Sequence, residues 1–335
     1  MSDLVRVKFW GVRGSVPAPI TASYVEKKIH DALQSYSGGK ERDVGRFVER
    51  LSHVKPFTYG GNTSCVEVRY GDSIFILDMG TGIRPLGNSL FPEMFKKGGL
   101  KIHFFLSHVH WDHIQGLPFF APLYVNKQTG IKNEWNFYGG TNWQKTAEVC
   151  LRGQMDPPTF PVSWQEIEKI TYQIFFGNLY DQLEIQFDGG IRISFGKLDH
   201  PQETYGIRMD FPNGVVIAYT TDNEPRDPSF PDTRLKKLAD GADLWITDCQ
   251  YSRGQYNGEK GEGGVPRHGW GHSYPEAVAI TAVQARVKQA VLFHHDPASS
   301  DERIFAMEEH TQSLINEAGG GSKVTAAYEE LEIVL

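Results

Sequence analysis

The stretch Ser107-His108-Val109-His110-Trp111-Asp112-His113 decides the reading of this chain. Four potential metal ligands, His108, His110, Asp112 and His113, fall within six residues, directly after the apolar run Phe104-Phe105-Leu106. A strand that ends in an H-x-H-x-D-H loop can hold two metal ions side by side. Two adjacent divalent cations turn water into a nucleophile at neutral pH and neutralise an oxyanion. Three histidines and an aspartate packed this closely repel when protonated and have no core role. Metal-assisted hydrolysis is therefore the first expectation.

Composition sets the outer limits. The chain has 335 residues and is 40% hydrophobic, enough for a large core. Its 34 Lys and Arg against 41 Asp and Glu leave a formal charge of -7. Bulk charge of that sign does not attract a nucleic-acid backbone, so nucleic acid is not the expected partner. Cys65, Cys150 and Cys249 are odd in number and lack metal-ligand spacing, which argues against a disulfide framework. The N-terminal residues lack a signal-peptide pattern, and no apolar run is long enough to span a membrane. A cytoplasmic protein with no membrane partner is expected.

Outward from the loop, hydrophobic patterning predicts strands over Val5–Trp10, Cys65–Tyr70, Ser73–Leu77 and Lys101–Leu106. Further strands are predicted at Leu183–Phe187, Ile191–Leu198, Tyr205–Phe211, Val215–Thr220, Ala242–Thr247, Ala290–Phe293 and near Val324–Leu335. Gly71-Asp72 and Pro212-Asn213-Gly214 read as hairpin turns. A helix is expected to begin near Ile114, and another over roughly 301–317. Ser273-Tyr274-Pro275-Glu276 has capping-box spacing ahead of a helix over Ala277–Lys288. Gly254 to Gly264 reads as a mobile loop. Residues 22–55, charged and partly helical, and residues 125–185, irregular and aromatic-rich, read as insertions within one domain spanning 1–335. Strand-rich halves with helices after the ligand loops suggest α/β architecture, two sheets covered outside by helices.

Several strands deliver an ionisable residue at their C-terminal end: Asp199-His200, Thr221-Asp222 and His294. With the loop at 108–113, that repetition argues for convergence on one edge of the sheets. Imidazole and carboxylate together suit Zn, Mn or Fe.

On these residues the chain resembles the metallo-β-lactamase fold superfamily, and within it the phosphodiesterase branch that includes ribonuclease Z and bacterial cyclic-nucleotide phosphodiesterases. The resemblance runs from Val5 to about Pro297. It rests on the segments 11–17 (Gly-Val-Arg-Gly-Ser-Val-Pro), 60–64 (Gly-Gly-Asn-Thr-Ser), 77–80 (Leu-Asp-Met-Gly), 108–113 and 271–273 (Gly-His-Ser), and on His200, Thr221-Asp222 and Leu292-Phe293-His294. It implies a four-layered αββα sandwich of two mixed β-sheets flanked by helices. It also implies two divalent metal ions, one on His108, His110 and His200, the other on Asp112, His113 and His294. Asp222 would bridge them, with a hydroxide between the ions as nucleophile. Asp78 would support the ligand loop without binding metal. His295 is the alternative to His294, and is expected to face outward.

The same resemblance gives His272 contact with the scissile phosphate and Asp248 the task of orienting it. Asp112 could also orient the attacking water or take its proton. Asn62, Thr63 and Ser64 could line the substrate pocket or form a purely structural turn. His30, His53, His103, His268 and His310 have no expected part in the site. A ribonuclease Z-like enzyme carries a long tRNA-gripping arm between the strand-end histidine and the bridging aspartate. Here two strands and a Pro-Asn-Gly turn fill that interval. A small phosphodiester such as a cyclic nucleotide is the expected substrate. An RNA-processing nuclease and a non-catalytic, metal-stabilised nucleotide-binding protein are the alternatives. The two insertions could act as lids over a small substrate or form a homodimer interface.

Overall fold

A computed structural model describes residues 4–37, 44–48, 58–225 and 233–335. The first sheet is built from β1 (Val5–Gly11), β2 (Cys65–Tyr70), β3 (Ser73–Leu77), β4 (Lys101–Phe105) and β5 (Glu134–Gly139). A short hairpin, β6 (Thr141–Asn142) and β7 (Lys145–Thr146), then precedes its outermost strand, β8 (Gln173–Asn178). The second sheet holds β9 (Glu184–Phe187), β10 (Ile191–Lys197), β11 (Tyr205–Asp210) and β12 (Val216–Thr220). It continues through β13 (Leu244–Asp248), β14 (Gln289–Phe293) and β15 (Lys323–Ala326), while β16 (Glu332–Val334) returns to the first sheet. Both sheets have seven strands, in the orders β16-β1-β2-β3-β4-β5-β8 and β15-β14-β13-β12-β11-β10-β9.

Each sheet is antiparallel in one half and parallel in the other. In the first, β1, β2 and β3 are antiparallel neighbours, whereas β3, β4, β5 and β8 run parallel. In the second, β9 to β12 are antiparallel and β12 to β15 parallel. Three apolar layers account for the stacking. Val7, Phe9, Val68, Phe75 and Phe105 of the first sheet face Ile193, Ile207, Ile217, Ile246 and Phe293 of the second. Outside the first sheet, Ile76, Phe104 and Phe137 pack on Leu86 and Leu90 of the helix Ile83–Lys97. Outside the second, Ala218, Trp245 and Leu292 pack on Leu235, Val278 and Ile304 from three helices. The expected four-layered αββα sandwich is the observed fold.

Several local expectations change. Residues 125–185 supply β5 and β8, two strands of the first sheet, together with the helices Ala147–Gly153 and Trp164–Ile170. They are part of the sandwich and not an insertion into it. In β5 the alternation Glu134-Trp135-Asn136-Phe137 is only four residues long, and Asn136 is buried along with the two aromatics. The helix expected from Ile114 begins at Trp111, so a short turn Trp111–Ile114 itself carries Asp112 and His113. The predicted capping box at Ser273 does not form. The helix starts at Pro275, where a missing N–H costs nothing, and the Ser273 amide donates to Asp248 instead. The glycine-rich stretch opens with the helix Arg253–Asn257, capped by Ser252 and Gln255. The terminal strand is two strands, one in each sheet.

Of residues 22–55, Ala22–Ser37 is helical and its Lys27 and Lys28 pair with Glu302 and Asp301 at 3.2 and 3.0 Å. Residues 38–43 and 49–55, His53 among them, lie outside the described residues.

Phe105 is buried between the sheets, its ring 4.8 Å from Tyr138 and 5.7 Å from Phe195 of the opposite sheet. Phe105→Ala is expected to destabilise the fold by about 3–5 kcal/mol. Urea unfolding followed by near-ultraviolet circular dichroism checks this; a loss below about 1 kcal/mol would contradict the inter-sheet packing.

Candidate metal centre

The candidate ligands meet at the C-terminal ends of strands from both sheets, the edge where open α/β sheets place their sites. The loop 108–113 follows β4, His200 follows β10, Asp222 follows β12 and His294 follows β14. Asp78, Asp222 and His294 adopt φ of 62°, 55° and 61°, left-handed conformations that turn the chain as it leaves the strand. Each costs a non-glycine residue on the order of 1–3 kcal/mol and persists only where surrounding contacts over-determine it.

The side chains form three overlapping groups, His108, His110, His200 and Asp222; Asp112, His113 and His294; and Asp222, Asp248, His272 and His294, the first two of which take residues from the loop 108–113. In the first, His110 Nδ1 lies 2.8 Å from His108 Nε2 and 3.1 Å from His200 Nε2. Asp222 Oδ2 is 3.6 Å from His108 Nε2 and 3.9 Å from His200 Nε2. In the second, His294 Nε2 is 3.2 Å from His113 Nε2 and 3.0 Å from Asp112 Oδ2. Asp222 Oδ1 stands 3.3 Å from both of these imidazole nitrogens. One oxygen of Asp222 therefore faces each of these two clusters, as a bridging carboxylate requires.

Hydrogen bonds on the far side of each ring decide what the near side offers. His113 Nδ1–H donates to Asp78, His200 Nδ1–H to the Gly271 carbonyl and His294 Nδ1–H to Gln250 Oε1. The Ser107 hydroxyl donates to Asp78 and accepts from His108 Nδ1. Each of these rings then turns its Nε2 inward, the nitrogen free to meet a metal. Imidazole nitrogens and carboxylate oxygens converging within about 3–4 Å offer the mixed N and O donor set that a divalent cation takes. The donor set of imidazoles and carboxylates thus fits divalent metal ions, and outer bonds of this kind fix ring orientation in metal sites.

Electrostatics agree. Burial and the neighbouring imidazoles push His108 well below its ordinary pKa and His110 to about 4, and burial lowers His200, so all three are neutral at pH 7. Burial works against the charge on Asp112 and Asp222. The imidazoles facing them more than reverse it and hold both well below the ordinary carboxylate range. Burial opposes protonation of His113, but Asp112, Asp222 and Asp78 raise its proton affinity, and the same field favours a metal cation.

His272 stands beside the second cluster, its ring 5.1 Å from that of His294. Its Nδ1–H donates to Asp248 Oδ2 at 2.7 Å, and the Ser273 amide takes Asp248 Oδ1 at 2.8 Å. Burial opposes its protonation, yet Asp248, with Asp222 and Asp112 beyond, lifts its pKa to about 9. Cations in the adjoining clusters would pull that value back down.

Asp78 is fully buried and accepts from the Ser107 amide and hydroxyl, His113 and the Tyr219 hydroxyl, an organising role with no place in either cluster. His295 is buried, not outward-facing. It turns away from the clusters to donate to the Ala327 carbonyl, because the Gly14 amide and the Val12 carbonyl hold its backbone in place. Thr63 and Ser64 are buried beside the ligand loop; Thr63 exchanges hydrogen bonds with Thr81, and Asn62 bonds to Glu329. Their polar groups are thus engaged in the turn itself, apart from the Ser64 hydroxyl, which has no protein partner. Of the histidines with no expected role, His103 stacks on Phe75 and Tyr138, and His268 lies against Tyr256.

Sequence reasoning missed Gln250, Tyr219 and Ser15, whose amide donates to Asp112 Oδ2 at 2.7 Å. Only Ser15 lay in a quoted motif. The others have no local signal, since Tyr219 reaches Asp78 across 141 positions.

Removing the ligand should separate the two adjacent histidines. His294→Ala is expected to lower bound metal per chain, measured by inductively coupled plasma mass spectrometry, while His295→Ala leaves it unchanged. Gln250→Ala should weaken metal affinity about 10–100-fold, read by chelator competition. Full affinity in that variant would show that the bond to His294 does not orient a ligand.

Comparison with known proteins agrees with this geometry. Residues 98–295 match the family model described as "Beta-lactamase superfamily domain". The chain is 31% identical to "Ribonuclease BN" of Proteus mirabilis (strain HI4320) over 161 residues, 44% of this chain and 47% of that one. It is 26% identical to "Ribonuclease Z" of Staphylococcus carnosus (strain TM300) over 203 residues, 57% of this chain and 56% of that one. It therefore spans about half the length of these relatives. The metallo-beta-lactamase fold protein YhfI from Bacillus subtilis superposes over 100% of both chains with a TM-score of 0.61 and 15% identity. With both clusters and His272 inside the matched span, the chain belongs to the metallo-β-lactamase superfamily.

Proposed function

We propose that the chain is a dinuclear-metal-dependent phosphodiesterase acting on a small phosphodiester such as a cyclic nucleotide. The observation that carries the reading is the His272–Asp248 pair standing beside two clusters that share Asp222. His108, His110, His200 and Asp222 would hold one ion, and Asp112, His113, His294 and Asp222 the other. When bound, such a pair of cations activates water near neutral pH and neutralises phosphate charge. Zn, Mn and Fe all suit the donors.

The chain's own residues supply the rest. Asp112, held through Oδ2 by the Ser15 amide, can orient the attacking water. His272 carries a proton toward the position where negative charge develops on the leaving oxygen, the placement a general acid needs. Asp248 fixes its tautomer and stabilises its charged form. A β-lactam or thioester hydrolase needs no such histidine.

The named relatives favour a second reading, an RNA-processing nuclease. Against it, β11 and β12 form a tight antiparallel hairpin between His200 and Asp222, with Gly214 at φ 85° in its turn and no arm. The net charge of -7 points the same way. We place the protein in the cytoplasm. No described helix is long and apolar enough to cross a membrane, and the three cysteines are unpaired. The helix Ala22–Ser37, exposing Val25, Ile29 and Leu33, would serve as part of a lid or a homodimer contact.

Metal-loaded protein should hydrolyse bis-p-nitrophenyl phosphate and carry two ions per chain. Asp112→Ala should lower kcat by at least about 100-fold. Unchanged turnover in that variant refutes the site, and metal-free protein after loading refutes the enzyme. A panel of cyclic mononucleotides, cyclic dinucleotides and precursor tRNA, compared by kcat/KM, should favour a cyclic nucleotide. Preference for precursor tRNA would establish the nuclease reading instead.

A further inference from the structure

We propose that Glu224 is a positioning residue for His272, holding from one side the loop that Asp248 holds from the other. Glu224 lies two positions beyond Asp222, on the segment leaving β12. Its Oε1 accepts from the Gly269 amide at 2.8 Å and the Tyr256 hydroxyl at 2.6 Å. Its Oε2 accepts from the Gly271 amide at 2.7 Å. Both amides belong to the segment immediately before His272. Carboxylate-to-amide bonds of this kind are roughly twice as strong as neutral ones.

Local geometry makes the tie consequential. Gly269 and Gly271 have φ of 79° and 87°, so this backbone is intrinsically permissive. A Cβ on Gly271 would lie 1.9 Å from His200 Nδ1, so the loop must run directly against that ring, with its carbonyl accepting the Nδ1–H at 3.1 Å. On the far side of His272, Asp248 takes both the ring and the Ser273 amide. Two carboxylates from the ends of β12 and β13 thus bracket one histidine. Without Glu224 the two amides before His272 would lose their acceptor, leaving the Gly271 carbonyl and Asp248 to hold the segment. A misplacement of about 1 Å at a reacting group can cost on the order of 100-fold in rate.

The inference rests on the phosphodiesterase reading, and its test separates the two. Aryl phosphodiesters graded from p-nitrophenyl to phenyl leaving groups are compared on wild type, Glu224→Gln and Glu224→Asp. Glutamine turns an N–H toward an amide donor, and aspartate is too short to span both amides. A p-nitrophenolate leaves without a proton, whereas a phenolate benefits from one. Both variants should keep wild-type metal content and KM. Turnover of the phenyl substrate should fall about 100-fold in Glu224→Gln and less in Glu224→Asp, with the p-nitrophenyl substrate little changed. In metal-free protein the amides of 269 and 271 should exchange hydrogen faster in the variants. Equal losses across the series, loss of metal, or unchanged exchange would overturn the proposal. If wild type cleaves no member of the series, the phosphodiesterase reading falls, and the exchange measurement still decides whether Glu224 holds the loop.

Discussion

Convergence of inward-facing imidazole nitrogens and carboxylate oxygens is the constraint on which the rest of this structure depends. His113 Nε2 and His294 Nε2 approach to 3.2 Å, and His108 Nε2 and His110 Nδ1 to 2.8 Å, with carboxylate oxygens between the two sets. Polar groups this deeply buried stay converged only where other bonds hold each ring in place. The protein supplies the holding force from behind, through Asp78, Ser107, Gln250 and the Gly271 carbonyl. Left-handed backbone at Asp222 and His294 aims these two side chains into the clusters. A cation held by these donors would tie metal binding to local stability.

The sandwich makes the arrangement possible because each cluster draws on both sheets. β4 of the first sheet carries the loop 108–113, and β10, β12 and β14 of the second carry the remaining ligands. The sheets must stay in register for the clusters to close, and Phe105, Phe195 and Phe293 pack in the shared core just below. Residues 12–14 add a direct link. The Val12 and Arg13 amides bond to Asn62 on one side, and the Gly14 amide bonds to the His295 carbonyl on the other. Buried Arg13 extends the link to the carbonyls of Gly60, Asp296 and Ser299. Ser15, next in line, brings its amide to Asp112.

Much of the fold was legible because most strands of the second sheet and the hairpin β2–β3 carry apolar runs bounded by Gly, Asn or Asp. Illegible parts have physical causes. β5 alternates over only Glu134–Phe137, and a short hairpin and two seven-residue helices separate it from β8, so residues 125–185 looked irregular. The S-x-x-E pattern at Ser273 competed with a stronger acceptor, Asp248, that is 25 positions away in sequence. His295 read as an outward neighbour because adjacent strand residues usually alternate, but the chain turns at His294.

The chain's local chemistry by itself determined that two metal sites were worth seeking, since H-x-H-x-D-H and repeated strand-end His and Asp are visible without coordinates. Tertiary structure decided which of His294 and His295 points inward, and which oxygen of Asp222 faces which cluster. It also revealed that Gln250, Tyr219 and Glu224 stand behind the ligands and His272. The reason is distance along the chain: ligand identity is written in short local motifs, whereas orientation comes from partners tens to hundreds of positions apart, brought together only when the two sheets stack.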